Sequence, residues 1–352
     1  MQKTVAFDEA GNTGQDLLNE AQPVFALASV DVAPETAASL VENPGKELHF
    51  KTARKSRGGR EAILRVLTDA ALSPETVRTV VAHKRFSIVA KMVDLLVEPF
   101  AALTGYDLYA QGAHVAFSNL LFATLPVLLG PDRARRIFEG FVTMCREPTR
   151  HRRSEFILTL QDVADDGDED TRGTLRLLAA GTDIGAFGGT GIPDLDPAPP
   201  CLIALAHSWA DDGGPFGILH DDRPELRRWK PHFEKFWPGS AEPETFVLYD
   251  GRTLTYPLPV TELQVAASHT DPRLQVADVI AGSLQFVVNA RVGVSPDPTF
   301  AATLQDETPV LSWLVHGIIW PTDDMDPGAL GVQSGATANF ADAVTAWTTR
   351  SR

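Results

Sequence analysis

Two acidic pairs stand at the ends of short apolar runs. Asp8-Glu9 follows Thr4-Val5-Ala6-Phe7 and leads into Ala10-Gly11-Asn12-Thr13-Gly14. Asp221-Asp222 follows Phe216-Gly217-Ile218-Leu219-His220. Apolar runs that break into Gly/Asn or acidic turns predict strands. Acids at the ends of central strands stand at a sheet edge, where ligands and metals are held. If the two strands are parallel neighbours, both pairs gather at one edge. A third acid, Asp278, lies in a helical stretch whose neighbours Leu274, Val276, Ala277, Val279 and Ile280 are apolar. Burying it is costly unless it is paired, hydrogen-bonded or metal-bound. Otherwise it lies on a partly exposed helix face or caps another element. Glu47 is a fourth candidate. In Lys46-Glu47-Leu48-His49-Phe50-Lys51 polar and apolar residues alternate, which predicts a strand with one polar face.

Clustered carboxylates without a cysteine pattern favour hard cations, Mg2+ or Mn2+. Two such ions about 4 Å apart hold a phosphodiester, activate water and stabilise the leaving oxygen. Without a cation the acids repel one another, and at least one pKa rises. The candidate catalytic acids are Asp8, Asp221, Asp278 and Glu47; the candidate metal ligands are Asp8, Asp221, Asp278, Glu9 and Asp222. Strand alternation sends Asp8 to one face and Glu9 to the other, unless the chain has already turned. His49 and His220 are proton carriers or structural histidines. The chain lacks a GxSxG elbow and a P-loop, and Gly11–Gly14 has neither the P-loop lysine nor the dinucleotide spacing. A carboxylate pair for glycoside hydrolysis stays open on residue type alone.

The elements that must position these groups read as follows. Residues 4–8, 23–32, 77–83, 215–220 and 260–268 predict strands. Residues 59–71, 86–100, 111–129, 132–146, 201–210, 224–236 and 273–289 predict helices, the third ending at Gly130-Pro131. Residues 162–200, with the acidic run Asp165–Asp170 and a Gly/Pro-rich stretch, read as a linker containing one short helical piece near 175–180. The expected organisation is α/β: a core over 1–290 with a helical insertion at about 100–210, and a C-terminal extension over 291–352 packed on it.

The formal net charge is −15, from 31 basic and 46 acidic residues. That disfavours indiscriminate adhesion to nucleic acid or anionic membrane, but local basic clusters remain. Lys51–Arg60 (KTARKSRGGR), Arg146–Arg153 and Arg227–Lys230 could each contact phosphates or be solvated helix ends. No apolar run is long enough to cross a bilayer. The N-terminus lacks the pattern of a signal peptide, and the two cysteines form no framework. A cytoplasmic protein is expected, with oligomerisation open.

Six short motifs in order resemble the bacterial family catalogued as domain of unknown function 3800. They are FDEAGNTG at 7–14, KELHF at 46–50, HKRFSIVAKMVDLL at 83–96, YAQGAHVAFSNLL at 109–121, ILHDDRPEL at 218–226 and LQVADVIAG at 274–282. Ala10 replaces the family's commoner serine. The resemblance implies a ribonuclease H-like mixed central sheet flanked by helices. It also implies an acidic metal site drawn from the first strand, a later strand and the last core helix, onto which Asp8, Asp221 and Asp278 map. Lys84, Lys91 and Asn119 match family positions too. Lys84 is expected to touch a phosphate or a site carboxylate, and Lys91 to pair with a site carboxylate.

The expected function is a metal-dependent phosphodiesterase, a nuclease acting on RNA or DNA, with Arg54, Lys55, Arg57, Arg60, Lys84 and His49 on the substrate side. The alternatives are a non-catalytic binding or assembly module on the same scaffold, as in phage defence or a mobile element, and a hydrolase of a small phosphorylated molecule.

Overall fold

The computed structural model describes residues 3–11, 17–42, 47–103, 105–109, 112–165, 167–184, 195–237, 242–248, 251–308, 310–313 and 315–325. Asn12, Thr13, Gly14 and Lys46, the Gly-rich 185–191 and residues 326–352 of the expected extension lie outside them.

The strands are β1 (Lys3–Ala10), β2 (Val24–Val30), β3 (Val77–His83), β4 (Phe216–Asp221), β5 (Glu244–Val247), β6 (Thr253–Tyr256), β7 (Val260–Ala266) and β8 (Val315–Ile319). Six form one sheet in the order β7-β4-β1-β2-β3-β8, and β5 and β6 pair as a separate hairpin. β1, β2 and β3 are an antiparallel meander. β4 pairs parallel with β1, β7 with β4, and β8 with β3. Among the described strands of this sheet β2 alone therefore runs against the others, and the carboxyl ends of the other five share one edge. Gly11 makes the turn out of β1 possible. Its φ is +111°, and a Cβ there would fall 2.3 Å from the Val24 carbonyl oxygen, so only glycine fits.

The helices are α1 (Pro34–Leu40), α2 (Phe50–Ala53), α3 (Arg57–Leu67), α4 (Lys84–Met92), α5 (Glu98–Leu103), α6 (Ala113–Leu129), α7 (Pro131–Arg146), α8 (Arg150–Asp165), α9 (Glu169–Ile184), α10 (Ala198–Ala210), α11 (Pro224–Phe233), α12 (Pro272–Arg291), α13 (Pro298–Glu307) and α14 (Val310–Trp313). On one sheet face, Ala6, Ala26, Ala28 and Val81 pack against Leu274, Ala277 and Ala281 of α12, with α1, α3 and α13 closing the layer. On the other, Val5, Phe7, Leu27 and Ile218 pack against Leu202, Leu205 and Trp209 of α10 and Leu226 of α11. A third apolar cluster belongs to α4–α9. α12 is apolar on nearly every side because it is buried among neighbours.

Several expectations change. Residues 47–49 are not a strand, and Phe50 opens the short helix α2. The backbone there bonds to α12 side chains, and no neighbouring described strand pairs with it. Of the expected linker at 162–200, the described residues are mostly helical: α8 runs to Asp165, α9 spans Glu169–Ile184 and α10 starts at Ala198. Arg172 ties the break together by bonding Glu169 and the Gly167 carbonyl. The expected helix at 86–100 is α4 and α5 joined by a π-helical turn, Val93–Val97. α6 starts after Gly112 and stops at Gly130, both with positive φ, matching the predicted stop. Among the described residues no helix is long and apolar enough to cross a membrane.

Candidate functional site

β1 and β4 are parallel neighbours, with Phe7 opposite His220. Asp8 and Asp221 are therefore the next residues on adjacent strands, about 5 Å apart at the backbone. By alternation Asp8 follows Ala6, and Asp221 follows Leu219, on the face that packs on α12. Asp278 approaches the same face from α12. Its Oδ2 accepts from the Phe50 N–H (2.7 Å) and stands 3.2 Å from His49 Nδ1. One turn earlier, Gln275 accepts from Leu48 N–H (3.0 Å) and donates to the Ser268 carbonyl (3.2 Å). The Ser268 hydroxyl donates to Glu47. Residues 47–50 are thus strapped along α12 at the carboxyl edge of the sheet.

The electrostatics match this gathering. Asp8 is 2% exposed, and its carboxyl is held well above the ordinary carboxylate range. Burial is the largest cause, and the charges of Asp278, Glu9 and Asp221 add to it, while Arg223 opposes them. Asp8 Oδ1 accepts from the Glu9 N–H (2.7 Å). The His49 imidazole is raised above its usual value, first by its bond to Asp278. That bond outweighs half-burial, and the charges of Asp278, Glu47 and Asp221 reinforce it.

Glu9 and Asp222 do not join this group. Glu9 lies on the opposite face with Phe7, where Oε1 meets Arg223 Nε at 2.8 Å and Oε2 lies 3.5 Å from His220 Nε2. Asp222 is exposed and bonded to Arg227 through Nε (2.7 Å) and a second guanidinium nitrogen. Lys91 pairs with Asp94 at 3.1 Å, one helical turn on, and with no acid of this group. Lys84 is buried, and its ammonium donates to the Gly11 carbonyl. Asn119 holds the chain beyond β8, bonding Thr322 and the Asp324 carbonyl. The basic stretch is partly committed to packing. Arg54 lies 5.1 Å above the Phe286 ring, and Arg60 bonds Asp297 (2.6 Å) over Phe300. Arg57 pairs with Glu61, while Lys55 is exposed. Lys55, Ser56, Arg57, Arg60, Thr299 and Thr303 line an open groove between α3 and α13.

Arg223 and Gln275 do not stand out in the sequence as members of this edge. An arginine directly after an acidic pair at a strand end is the available signal for Arg223. Nothing local marks Gln275, whose partner lies 227 residues away.

The donor chemistry suits a hard cation: carboxylate oxygens on one face, crowded by like charge. Among the described residues, however, no three His, Cys, Asp or Glu side chains converge as metal ligands. The chain matches no protein-family model, no curated protein and no solved structure in the comparisons made.

Proposed function

We propose that the protein is a ribonuclease H-like, metal-dependent phosphodiesterase acting on nucleic acid. The observation that carries this reading is Asp8: a buried carboxyl whose charge is opposed by Asp278 and Asp221 on the same face. Such crowding is relieved by a cation or a proton, and its place at the carboxyl ends of parallel strands is where open α/β sheets take ligands. The strand order, with a three-stranded meander followed by β4 and β7 on the β1 side, supports the fold reading.

In this reading Asp8, Asp221 and Asp278 hold Mg2+ or Mn2+. Held by these three residues, Mg2+ or Mn2+ would supply charge stabilisation of a phosphodiester and activation of water. Glu47 orients water through the carboxylate that it now gives to Ser268. His49, fixed at Nδ1 by Asp278, exchanges the proton at Nε2. Calorimetry with Mn2+ tests the reading: saturable binding in the wild type, lost in Asp8→Asn and Asp278→Asn, accompanied by cation-dependent cleavage of RNA or DNA that both variants lose. A scaffold without catalysis is the second reading. It is favoured by the two bonds that Asp278 Oδ2 already accepts, and absence of binding at millimolar Mn2+ would establish it.

A further inference from the structure

The carboxyl edge that carries the acids continues across the sheet. β3 ends there in His83, followed by Lys84 and Arg85. β8 ends there at Ile319, followed by Trp320. β1 and β3 flank β2, so the β3 end lies about 10 Å from the β1 end. Lys84 physically bridges the two, since its ammonium bonds the Gly11 carbonyl just past β1.

Arg85 is unusual among the cations of this edge. Its guanidinium lies 4.7 Å over the Phe122 ring, yet among the described residues no carboxylate lies within ion-pair distance, and its buried Nε has no hydrogen-bond partner there. Half-burial depresses its pKa, and Glu20, whose charge reaches it, is itself paired with Arg135 at 2.9 Å. Nε is closed off, but part of the Arg85 side chain is exposed, and a guanidinium without a carboxylate partner favours an anionic acceptor from outside the chain. The ring of His83 stands edge-on to both Phe122 (5.1 Å) and Trp320 (5.3 Å), giving an aromatic group beside the guanidinium. Arginine on an aromatic platform next to part-exposed rings suits a phosphate with a neighbouring base, the pairing by which single strands are held.

We infer that Arg85 binds a backbone phosphate of a single-stranded nucleic acid, one or two nucleotides from the carboxylates. This rests on the nuclease reading for its substrate class, but its test needs no cation. Fluorescence anisotropy of a fluorescein-labelled ten-nucleotide oligothymidylate, in EDTA, reads it directly. Arg85→Gln is expected to weaken binding about tenfold and to flatten the log–log salt slope by about 0.7, the share of one neutralised phosphate on a single strand. Arg85→Lys, which keeps the charge and loses the fork, is expected between the two and carries the test if the Gln variant fails to fold. Unchanged affinity and slope in both variants would overturn the inference, as would a wild type that binds no oligonucleotide. So would displacement of the oligonucleotide by equimolar inorganic phosphate, which would assign the site to free phosphate. Loss of Mn2+ binding with the Arg85 effect intact would instead count against the metal site alone.

Discussion

Gly282 sits in the middle of α12, one turn beyond Asp278, where alanine would ordinarily strengthen a helix by about 1 kcal/mol. Here the sign should reverse. A Cβ at this position would stand 2.6 Å from Cδ1 and Cγ of Phe50 and 2.7 Å from its Cβ. Carbons normally approach to about 3.5–4.0 Å, and the atoms struck are the base of the side chain and cannot swing aside. Phe50 is itself 5% exposed and wedged against Phe286. Overpacking of this kind costs about 1–3 kcal/mol. If the Phe50 N–H leaves Asp278, a hydrogen bond to a charged group goes as well, about 1.5–3 kcal/mol. Less the helix gain, Gly282→Ala should destabilise by about 2 kcal/mol in urea unfolding followed by circular dichroism. It should also weaken any Mn2+ binding, because residues 47–50 shift with the ring. The decisive comparison is the double mutant. With Phe50→Gly, which removes the Cβ as well as the ring, the obstruction is gone, so Gly282→Ala should stabilise that background by about 0.5–1 kcal/mol. Equal destabilisation in both backgrounds would rule out a clash with Phe50 as the cause.

The remaining predictions concern the charged groups. Asp8 holds its proton more tightly in the folded chain than in the unfolded one, so the stability it contributes is present at low pH. It is lost as pH rises above 3.8 toward the folded value. At neutral pH without divalent cations, Asp8→Asn should therefore melt higher than the wild type; Mn2+ should raise the melting temperature of the wild type alone, and a lower-melting variant would contradict this. The His49 contribution is present below 6.5 and is lost as pH climbs through its raised folded value. In Asp278→Asn the NMR titration of the His49 Cε1 proton should move downward, and an unmoved titration would break the assigned link. Arg223→Gln strands the Glu9 carboxylate against His220. Fully buried pairs lose about 3–5 kcal/mol on such a change, and the partial exposure of Arg223 reduces this to about 1–3 kcal/mol, read as a shift in the urea midpoint.

Much of the frame was legible because local chemistry and tertiary position agree. Thr4–Phe7 and Phe216–His220 are strand-forming runs cut off by acids, and they do become adjacent parallel strands. α6 ends at the glycine whose backbone only glycine adopts readily. Local signals failed where distant partners decided the outcome. The alternation in Glu47–Lys51 predicts a strand, yet Leu48 and Phe50 spend their N–H groups on Gln275 and Asp278, more than two hundred residues on. The acidic run at 165–170 hid two helices, because its composition matched a linker while Arg172 stitched its ends. The hairpin of β5 and β6 has strands of only four residues, too short for periodicity to show. Of the acids, the separation of Asp8 from Glu9 onto opposite faces was readable by alternation, and Asp221 was readable only as a strand-end acid at the same sheet edge. Asp222 could not be placed that way, because it lies beyond the strand end.

The consecutive residues Asp8 and Glu9 serve opposite faces of one strand, and this bears on how the chain can change over time. The buried Glu9 is neutralised by a partly exposed Arg223. Losing either one first passes through a less stable form, whereas exchanging both for apolar residues need not. The pair should therefore be inherited or abandoned together across descendants of this chain. Asp8 bonds the Glu9 amide and not its side chain, and the opposed effects of Glu9 and Arg223 on its carboxyl would leave together, so Asp8 can persist when the pair is exchanged as a unit.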